Sequence, residues 1–179
     1  TTWSFPEKTH GIGMGKNKVT VKEAILGDLP ELKANESSNK YKRSPKNEFE
    51  TYIRGDVTEL VNHQAPNHPI ETMKKIEKTL PGAPMYSEFK QRIRLHPNEQ
   101  SPTQICGGIR PQFQFGHPTQ SRGLTIRERA RIQSFPDSYC FTGGVTQGRV
   151  QTGNAVPPLL AKVIANQLVK LLSSEKEIK

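Results

Sequence analysis

The sequence predicts a small α+β domain that leads into a long C-terminal helix. Capping boxes at Thr20–Glu23 and Thr125–Glu128 mark the starts of two helices, because in each box the Thr hydroxyl and the Glu carboxylate reciprocally satisfy free backbone amides. Short apolar–polar alternations between 92 and 115 are typical of β-strands. Apolar side chains at helical spacing over 159–172 predict an amphipathic helix of about four turns.

Length and charge narrow the functions that are possible. The 179 residues suit one ordinary domain and are few for a complete enzyme with two substrates. Only 32% of them are hydrophobic, so the predicted core is modest. Lys and Arg number 26 against 17 Asp and Glu, which gives a formal net charge of +9. A polyanion is therefore an expected partner, because a cationic surface releases counterions when it binds phosphates.

Three helices are predicted in the first half of the chain, over 21–26, over 47–54 and from Pro69 onward, where a missing amide hydrogen is tolerated. In the third helix, apolar residues at steps of three and four share one side: Ile70, Met73, Ile76 and Leu80. The segment 31–46 is polar and offers little to bury, which predicts a boundary or a mobile loop.

The second half of the chain begins with three β-like pieces, at 92–95, 103–106 and 112–115. The helix that opens at the second capping box is expected to stop before Pro136, and the glycines in 142–144 predict a loop. Asn154 lies near a capping position of the final helix.

Composition excludes several classes of protein. No run approaches eighteen consecutive apolar residues, so no segment is expected to cross a membrane, and the first residues lack the features of a secretion signal. Cys106 and Cys140 are too few for a disulfide scaffold and lack the paired spacing of a zinc site, so no metal is expected. The two cysteines fit an intracellular, reducing compartment best.

Three groups of polar residues could bind a ligand, although each also has an ordinary structural interpretation. One group has side chains that can read base edges or grip phosphates: Thr103, Arg110, Gln112 and Gln114. Taken singly, these are ordinary surface residues. A charged segment such as 127–131 is most often a helix face in contact with solvent. The functional alternative is that its arginines face a phosphate. The turn at 153–158 is most often a plain helix start, whose free amides could instead meet a ligand.

The combination of two segments is more specific than its parts. Residues 122–139 (RGLTIRERARIQSFPDSY) and 151–158 (QTGNAVPP) resemble, in order and separation, the two C-terminal motifs of the cytosine-5 DNA methyltransferases. Other pieces are similar to the lead-in and the frame of that family's target-recognition region: Phe5–His10, Val19–Ile25, Asp28–Pro30, Asn62–His63, Ser101–Ile105 and His117–Pro118. The resemblance covers nearly the whole chain.

The resemblance implies a Rossmann-like α/β methyltransferase fold, incomplete here, and roles for individual residues. Contacts on the wall of the S-adenosyl-L-methionine pocket are implied for Asn154, Ala155 and Val156. Bracing of the recognition domain is implied for Arg122, Thr125, Arg127 and Glu128. Thr103 matches a threonine that meets a DNA phosphate in relatives. Ala155 stands where some relatives carry Ser, so no hydroxyl contact is expected there.

The catalytic motifs of the family are missing from the sequence. Its reaction extrudes a cytosine from the duplex, attacks C6 with a cysteine thiolate, methylates C5 and removes the C5 proton. The family's nucleophile lies in a Pro-Cys dipeptide, whereas Cys106 follows Ile105 and Cys140 follows Tyr139. The Gly-rich cofactor loop, the Glu-Asn-Val segment and the Arg-rich strand are missing as well. Catalytic residues are therefore expected upstream of Thr1, and the final helix is expected to expose an apolar stripe.

The resemblance predicts that the chain is the C-terminal half of a DNA (cytosine-5-)-methyltransferase of the prokaryotic modification type, and that this half is inactive alone. The predicted location is the prokaryotic cytoplasm or, for a eukaryotic source, the nucleus. Its expected partners are double-stranded DNA and an N-terminal catalytic half, in the same protein or as a separate subunit. The alternatives are a non-catalytic DNA-binding module derived from the family and a basic α+β scaffold protein. The predicted segments are the end of the catalytic domain with its lead-in helix (1–30), the target-recognition domain (31–121), the bracing helix and hinge (122–150), the cofactor-pocket turn and C-terminal helix (151–172) and a polar tail (173–179).

Overall fold

The structure, a computed structural model, describes residues 3–10, 18–106 and 114–176. Across those residues it contains six helices: α1 (Val21–Ile25), α2 (Glu48–Arg54), α3 (Ile70–Lys78), α4 (Ile126–Ile132), α5 (Val145–Asn154) and α6 (Pro158–Lys176). The chain divides into two compact units, one of Val19–Ala155 and one of Thr1–Lys18 with Val156–Lys179.

Both predicted capping boxes are confirmed. At the start of α1, the Thr20 amide donates to Glu23 Oε2 at 2.7 Å and the Glu23 amide donates to Thr20 Oγ1 at 3.3 Å. At the start of α4, the Thr125 amide donates to Glu128 Oε2 at 2.8 Å. The starts of α2 and α3 also match the prediction, since α2 is capped by the Asn47 side chain and α3 follows Pro69. These starts were predictable because their determinants lie within one helical turn.

The predicted β-like pieces require a correction. In the part of the chain that the structure describes, no strand forms, and pairing is limited to isolated bridges such as Pro84 with Ile93 and Arg94 with Gly116. The Leu95 amide donates to the Gly116 carbonyl and the Gly116 amide donates to the Ile93 carbonyl, both at 3.0 Å, and these two bonds form one isolated bridge. Pro97 and Pro102 lack the amide hydrogens that a longer ladder would use.

Helix α5 occupies a stretch for which only a loop and a hinge were predicted. Its sequence is polar and contains glycine at 148 and 153, so neither propensity nor periodicity indicates a helix. Packing against α4 specifies it instead. A Cβ on the buried Gly148 would lie 2.8 Å from Ile126 Cγ1, so glycine permits the close approach of the two helices. Asn154 is the last residue of α5, and not a cap of the final helix as predicted.

The main core of the Val19–Ala155 unit joins α1 to side chains from distant loops. Its buried members are Val21, Ala24, Ile25, Leu29, Leu60, Leu95, Phe115 and Leu124. Tyr41 packs against this core, so the polar segment 31–46 is tied to the domain more firmly than predicted. On α3 only Ile76 is buried, whereas Ile70 and Leu80 are exposed, so the predicted apolar side of that helix is covered in part.

Helix α6, in the second unit, exposes its apolar side chains as predicted. Six of them are between 37% and 61% exposed: Leu160, Val163, Ile164, Leu168, Val169 and Leu172. The helix runs to Lys176, beyond the predicted end at 172. The stretch Val145–Ser173, which contains α5 and α6, is long and apolar enough to cross a membrane by length and composition alone, with a mean hydropathy of 1.3 over an 18-residue window, although its sequence has no unbroken apolar run. Helices of soluble proteins pass the same test, so this is weak evidence for a membrane.

Candidate functional site

A buried ion pair connects Glu128, in the first turn of α4, to Arg122, which lies just before that helix. Arg122 donates through Nη1 to Glu128 Oε2 at 2.9 Å and through Nη2 to Glu128 Oε1 at 2.7 Å. Both side chains are almost completely buried, at 2% and 1% exposed. Burial alone would disfavour the Glu128 carboxylate, but the Arg122 guanidinium holds the pKa of Glu128 well below its usual range. Glu128 is therefore ionised and fixed.

Two buried histidines complete this first cluster. His117 Nε2 lies 3.6 Å from Glu128 Oε1, and its Nδ1 accepts hydrogen bonds from the backbone amides of Thr119 and Gln120. His63 contacts Thr125 Oγ1 at 3.1 Å. Burial lowers the pKa of His117 to about 4 and also lowers that of His63, so both rings are neutral near pH 7.

A second buried cluster forms around Asp137. Arg131 donates through Nε to Asp137 Oδ1 at 3.1 Å and through Nη2 to Asp28 Oδ2 at 3.2 Å. Tyr41 donates its hydroxyl to Asp137 Oδ2 at 2.8 Å. Burial and the neighbouring Asp137 carboxylate raise the pKa of Tyr41 above its ordinary range, so the hydroxyl stays protonated. This cluster fastens segments that are about a hundred residues apart in the sequence.

Arg127 belongs to the same cluster and is fully buried. Its guanidinium lies 3.4 Å from Asp137 Oδ1 and donates to the carbonyls of Val61, Pro136 and Tyr139. The donors of Arg127 thus all point into the protein. The phosphate-facing interpretation of the segment 127–131 therefore does not apply to Arg127 or Arg131, which are internal braces.

The segment Thr103–Cys106 is held against α4 and α5 by polar contacts. Gln114 accepts from the Ile105 amide at 3.0 Å and donates to the Thr103 carbonyl at 2.9 Å. Arg129 donates through Nη2 to the Ile105 carbonyl at 3.1 Å. A Cβ on Gly153 would lie 2.2 Å from the Cys106 backbone nitrogen, so α5 and this segment meet backbone to backbone.

The structure places the four predicted DNA-binding residues differently from one another. The side chain of Thr103 is exposed and faces solvent. Gln114 is buried, and its amide group is used to hold the Thr103–Cys106 segment. Arg110 and Gln112 lie outside the described residues. Exposure therefore favours Thr103 over Gln114 as a residue that a nucleic acid could reach.

The three predicted cofactor contacts fall at the end of α5 and just after it. Asn154 is exposed, and its side chain makes no hydrogen bond to another described residue. Ala155 is half-buried, and Val156 is 62% exposed. The unengaged Asn154 amide can donate to or accept from a polar ligand, and Val156, in the other compact unit, exposes apolar surface. No group of three potential metal ligands occurs among the described residues.

Sequence reasoning missed the roles of Asp28, Tyr41, Asp137 and His117. Asp28 and Asp137 lie inside the family-like segments 28–30 and 122–139, but nothing local indicates that they share one arginine. Tyr41 lies in the polar segment 31–46, whose composition predicts a boundary or a mobile loop. One sequence signal for the burial of these arginines was available. Arg127 and Arg131 stand next to Ile126 and Ala130 along α4, and apolar neighbours are unusual on a helix face that is exposed to solvent.

Comparison with known proteins decides the family. A family model for C-5 cytosine-specific DNA methylases matches residues 4–170. The chain belongs to this family. The resemblance stated for the segments 122–139 and 151–158 is thereby confirmed, and the arginine and glutamate of the first cluster lie within the matched C-5 methylase region.

Relatives within the C-5 methylase family are longer or shorter than this chain. It is 32% identical over 182 residues to the type II methyltransferase M1.HphI of Haemophilus parahaemolyticus, covering 96% of this chain and 41% of that protein. It is 37% identical over 128 residues to the type II methyltransferase M.AquIB of Picosynechococcus, covering 63% of this chain and 90% of that protein. A crystal structure described as a DNA modification methyltransferase encoded within a prophage (E. coli) matches with a TM-score of 0.70 and 26% identity, covering 88% of this chain and 48% of that one. The chain thus spans less than half of M1.HphI and of the solved structure.

Proposed function

We propose that this chain is the target-recognition half of a DNA (cytosine-5-)-methyltransferase, which transfers a methyl group from S-adenosyl-L-methionine to C5 of a flipped cytosine in a specific sequence. One observation supports this most strongly. The C-5 methylase model matches residues 4–170, yet the chain has no Pro-Cys dipeptide and spans only 41% of the relative M1.HphI. The nucleophile and the cofactor loop therefore come from outside this chain.

The proposed DNA contacts lie on the Thr103 side of the Val19–Ala155 unit. Thr103 is exposed at the segment that α4 and α5 hold in place, and the net charge of +9 favours a polyanion. Gln114 has a positioning role in this proposal, because its amide holds the Thr103 carbonyl and the Ile105 amide. Arg110 and Gln112 remain proposed base or phosphate contacts on sequence grounds alone.

The proposed contribution to cofactor binding is a short segment, Asn154–Val156. When bound, S-adenosyl-L-methionine supplies the methyl group. The Asn154 amide is exposed and free to donate to a ligand oxygen or accept from a hydroxyl, and Val156 offers apolar surface. Arg122 and Glu128 do not contact the ligands in this proposal. Their ion pair keeps the Val19–Ala155 unit, which carries the proposed DNA contacts, rigid.

Two arrangements of the enzyme agree with these observations: the catalytic half precedes this chain in one polypeptide, or it is a separate subunit. The 37% identity to M.AquIB supports the second arrangement, because the matched 128 residues are already 90% of that protein. M.AquIB is therefore also too short to contain a complete catalytic domain alongside them. For either arrangement we propose a prokaryotic cytoplasmic location.

The alternative is a DNA-binding module that has kept the recognition unit and lost the chemistry. The net charge of +9 suffices for binding that weakens steeply with salt. The coding sequence before this chain, and the genes beside it, distinguish the two proposals. An in-frame or adjacent Pro-Cys with a Gly-rich loop indicates the enzyme, whereas their absence indicates the binding module.

The proposal is tested by expressing the chain in a methylation-free bacterial host together with its catalytic half. Bisulfite sequencing of host DNA is expected to show 5-methylcytosine at one short sequence. The matched control is the same pair with the nucleophilic cysteine of the catalytic half changed to serine, which should leave the DNA unmodified. An absence of 5-methylcytosine with both soluble halves present would refute the proposed activity.

A further inference from the structure

Arg129 and Arg149, in the Val19–Ala155 unit, lack the acidic partners that several other arginines of the unit have. Arg43, Arg122, Arg127 and Arg131 each lie within an ion-pair distance of a carboxylate. Arg129 and Arg149 form no ion pair with any residue that the structure describes. Both nevertheless lie in the packed region between α4 and α5, where most charged groups are neutralised.

Neutral groups surround the Arg129 guanidinium. Arg129 is only 4% exposed, and it donates through Nε to Thr152 Oγ1 at 3.0 Å and through Nη2 to the Ile105 carbonyl at 3.1 Å. Thr152 Oγ1 in turn lies 3.2 Å from the Arg149 carbonyl, one turn earlier on α5. Arg149 is half-buried and makes no hydrogen bond to another described residue. The Thr152 hydroxyl thus joins the Arg129 side chain to the Arg149 backbone, the charge of Arg149 acts on that of Arg129, and the side-chain donors of Arg149 are unused within the described chain.

Burial and the charge of Arg149 together disfavour the charged form of Arg129. They lower the pKa of Arg129 to about 10. His68 cannot compensate, because burial and the charge of Arg149 lower the pKa of His68 to about 4 and leave the ring neutral. Buried charges are normally paired, so two guanidinium groups that repel each other, without a carboxylate among the described residues, indicate an anion that those residues do not supply.

We propose that Arg149 and Arg129 form an anion site that binds one backbone phosphate of the recognised DNA. The inference rests on the proposed function. A phosphate is favoured over a carboxylate of the catalytic half because Arg129 holds the carbonyl of Ile105, two residues from the exposed Thr103. A phosphate reaching Thr103 therefore lies beside the site, and the forked guanidinium suits phosphate oxygens.

The test uses the assembled enzyme with Arg149→Gln. Because Arg149 has no partner among the described residues, this variant is expected to keep the thermal stability of the wild type. Lys42→Gln is the matched control, since it removes one positive charge from an exposed side chain on another part of the unit. Arg149→Lys retains the charge and is expected to recover part of the affinity.

The measurement is the dissociation constant for DNA by fluorescence anisotropy between about 50 and 200 mM KCl. For Arg149→Gln, the magnitude of the slope of log K against log salt should fall by about 0.9, because each neutralised phosphate releases about 0.9 counterions. The affinity at ~0.15 M salt should fall about fivefold. The loss should be equal for a methylation site and for unrelated DNA, because phosphates carry no sequence information.

Three results would overturn the inference. Wild-type affinity and salt slope in Arg149→Gln, with normal DNA binding by the wild type, would reject the phosphate site and leave the proposed function intact. Weaker association of Arg149→Gln with the catalytic half at an unchanged salt slope would assign the anion to that protein. A wild-type enzyme that binds no DNA would reject the proposed function and this inference together.

Discussion

Arg122 and Glu128 form a bidentate ion pair, with Nη–Oε distances of 2.9 and 2.7 Å, inside the Val19–Ala155 unit of this member of the C-5 methylase family. The same carboxylate also accepts from the Thr125 amide and closes the capping box of α4. One side chain therefore fixes both the start of α4 and the segment before it. Glu128 is the residue whose loss should disturb the unit most.

Replacing Glu128 with Gln should destabilise the protein by about 3–5 kcal/mol, because it leaves the Arg122 guanidinium buried without a counter-charge. Urea denaturation gives the free energy of unfolding. The control is Glu71→Gln, which breaks an exposed pair with Lys74 (3.7 Å) and should change stability by less than about 0.5 kcal/mol. Equal effects of the two substitutions would show that the buried pair has no special role.

Replacing Tyr41 with Phe should cost about 1.5–3 kcal/mol, because the hydroxyl donates to the ionised Asp137 carboxylate. Tyr52→Phe removes the hydroxyl of a tyrosine that is 43% exposed and should leave stability nearly unchanged. Chemical denaturation of both variants makes the comparison. If Tyr41→Phe matched Tyr52→Phe, the segment 31–46 would be a loosely attached loop, as its composition alone predicts.

Local and distant determinants explain which parts of the structure were predictable. The helices α1 and α4 were predicted because their capping boxes act within four residues. The burial of Arg131 in the charged segment 127–131 was not predictable from local sequence, because its partner Asp28 lies 103 positions away. Helix α5 was missed because Gly148 disfavours a helix locally, and the close approach to Ile126 that requires a glycine there is a contact between distant segments. The motif at 151–158 located candidate cofactor contacts, but spacing could not reveal that Gln114 would be buried.

Stability should fall as the pH drops from about 6.5 toward 4, in part through His68 and His117. Burial lowers the pKa of both to about 4, below the ordinary value of 6.5. The unfolded chain then binds protons before the folded chain does, so the stability is fully present above pH 6.5 and is lost as the pH falls through the folded pKa. In His117→Asn, which keeps an acceptor in place of Nδ1, the pH profile of the melting temperature should be flatter. A profile identical to wild type would contradict this assignment.

Gly153→Ala should weaken both DNA and cofactor binding in the assembled enzyme. The added Cβ would lie 2.2 Å from the Cys106 backbone nitrogen, and a backbone cannot move aside as a side chain can. Gly144→Ala is the control, because there the nearest atom is the flexible Gln147 Oε1 at 3.3 Å. Isothermal calorimetry and anisotropy measure the two affinities. Unchanged binding in Gly153→Ala would show that the close approach of α5 to the Thr103–Cys106 segment is unimportant.

Asn154→Ala should weaken S-adenosyl-L-methionine binding more than DNA binding, because the Asn154 amide is exposed and unengaged in the described chain. Calorimetry with the cofactor and anisotropy with DNA, on the assembled enzyme, separate the two effects. Asn98→Ala, at another exposed asparagine, is the matched control. Equal cofactor affinity in wild type and Asn154→Ala would remove this residue from the pocket.

In the proposed enzyme, this chain recognises DNA, and a catalytic half outside this chain supplies the nucleophilic cysteine and the cofactor loop. The most direct measurement incubates DNA and radiolabelled S-adenosyl-L-methionine with the chain alone, with the catalytic half alone and with both together. We expect label in DNA only when both halves are present, because the sequence of this chain has no Pro-Cys nucleophile. Robust methylation by this chain alone would contradict the account.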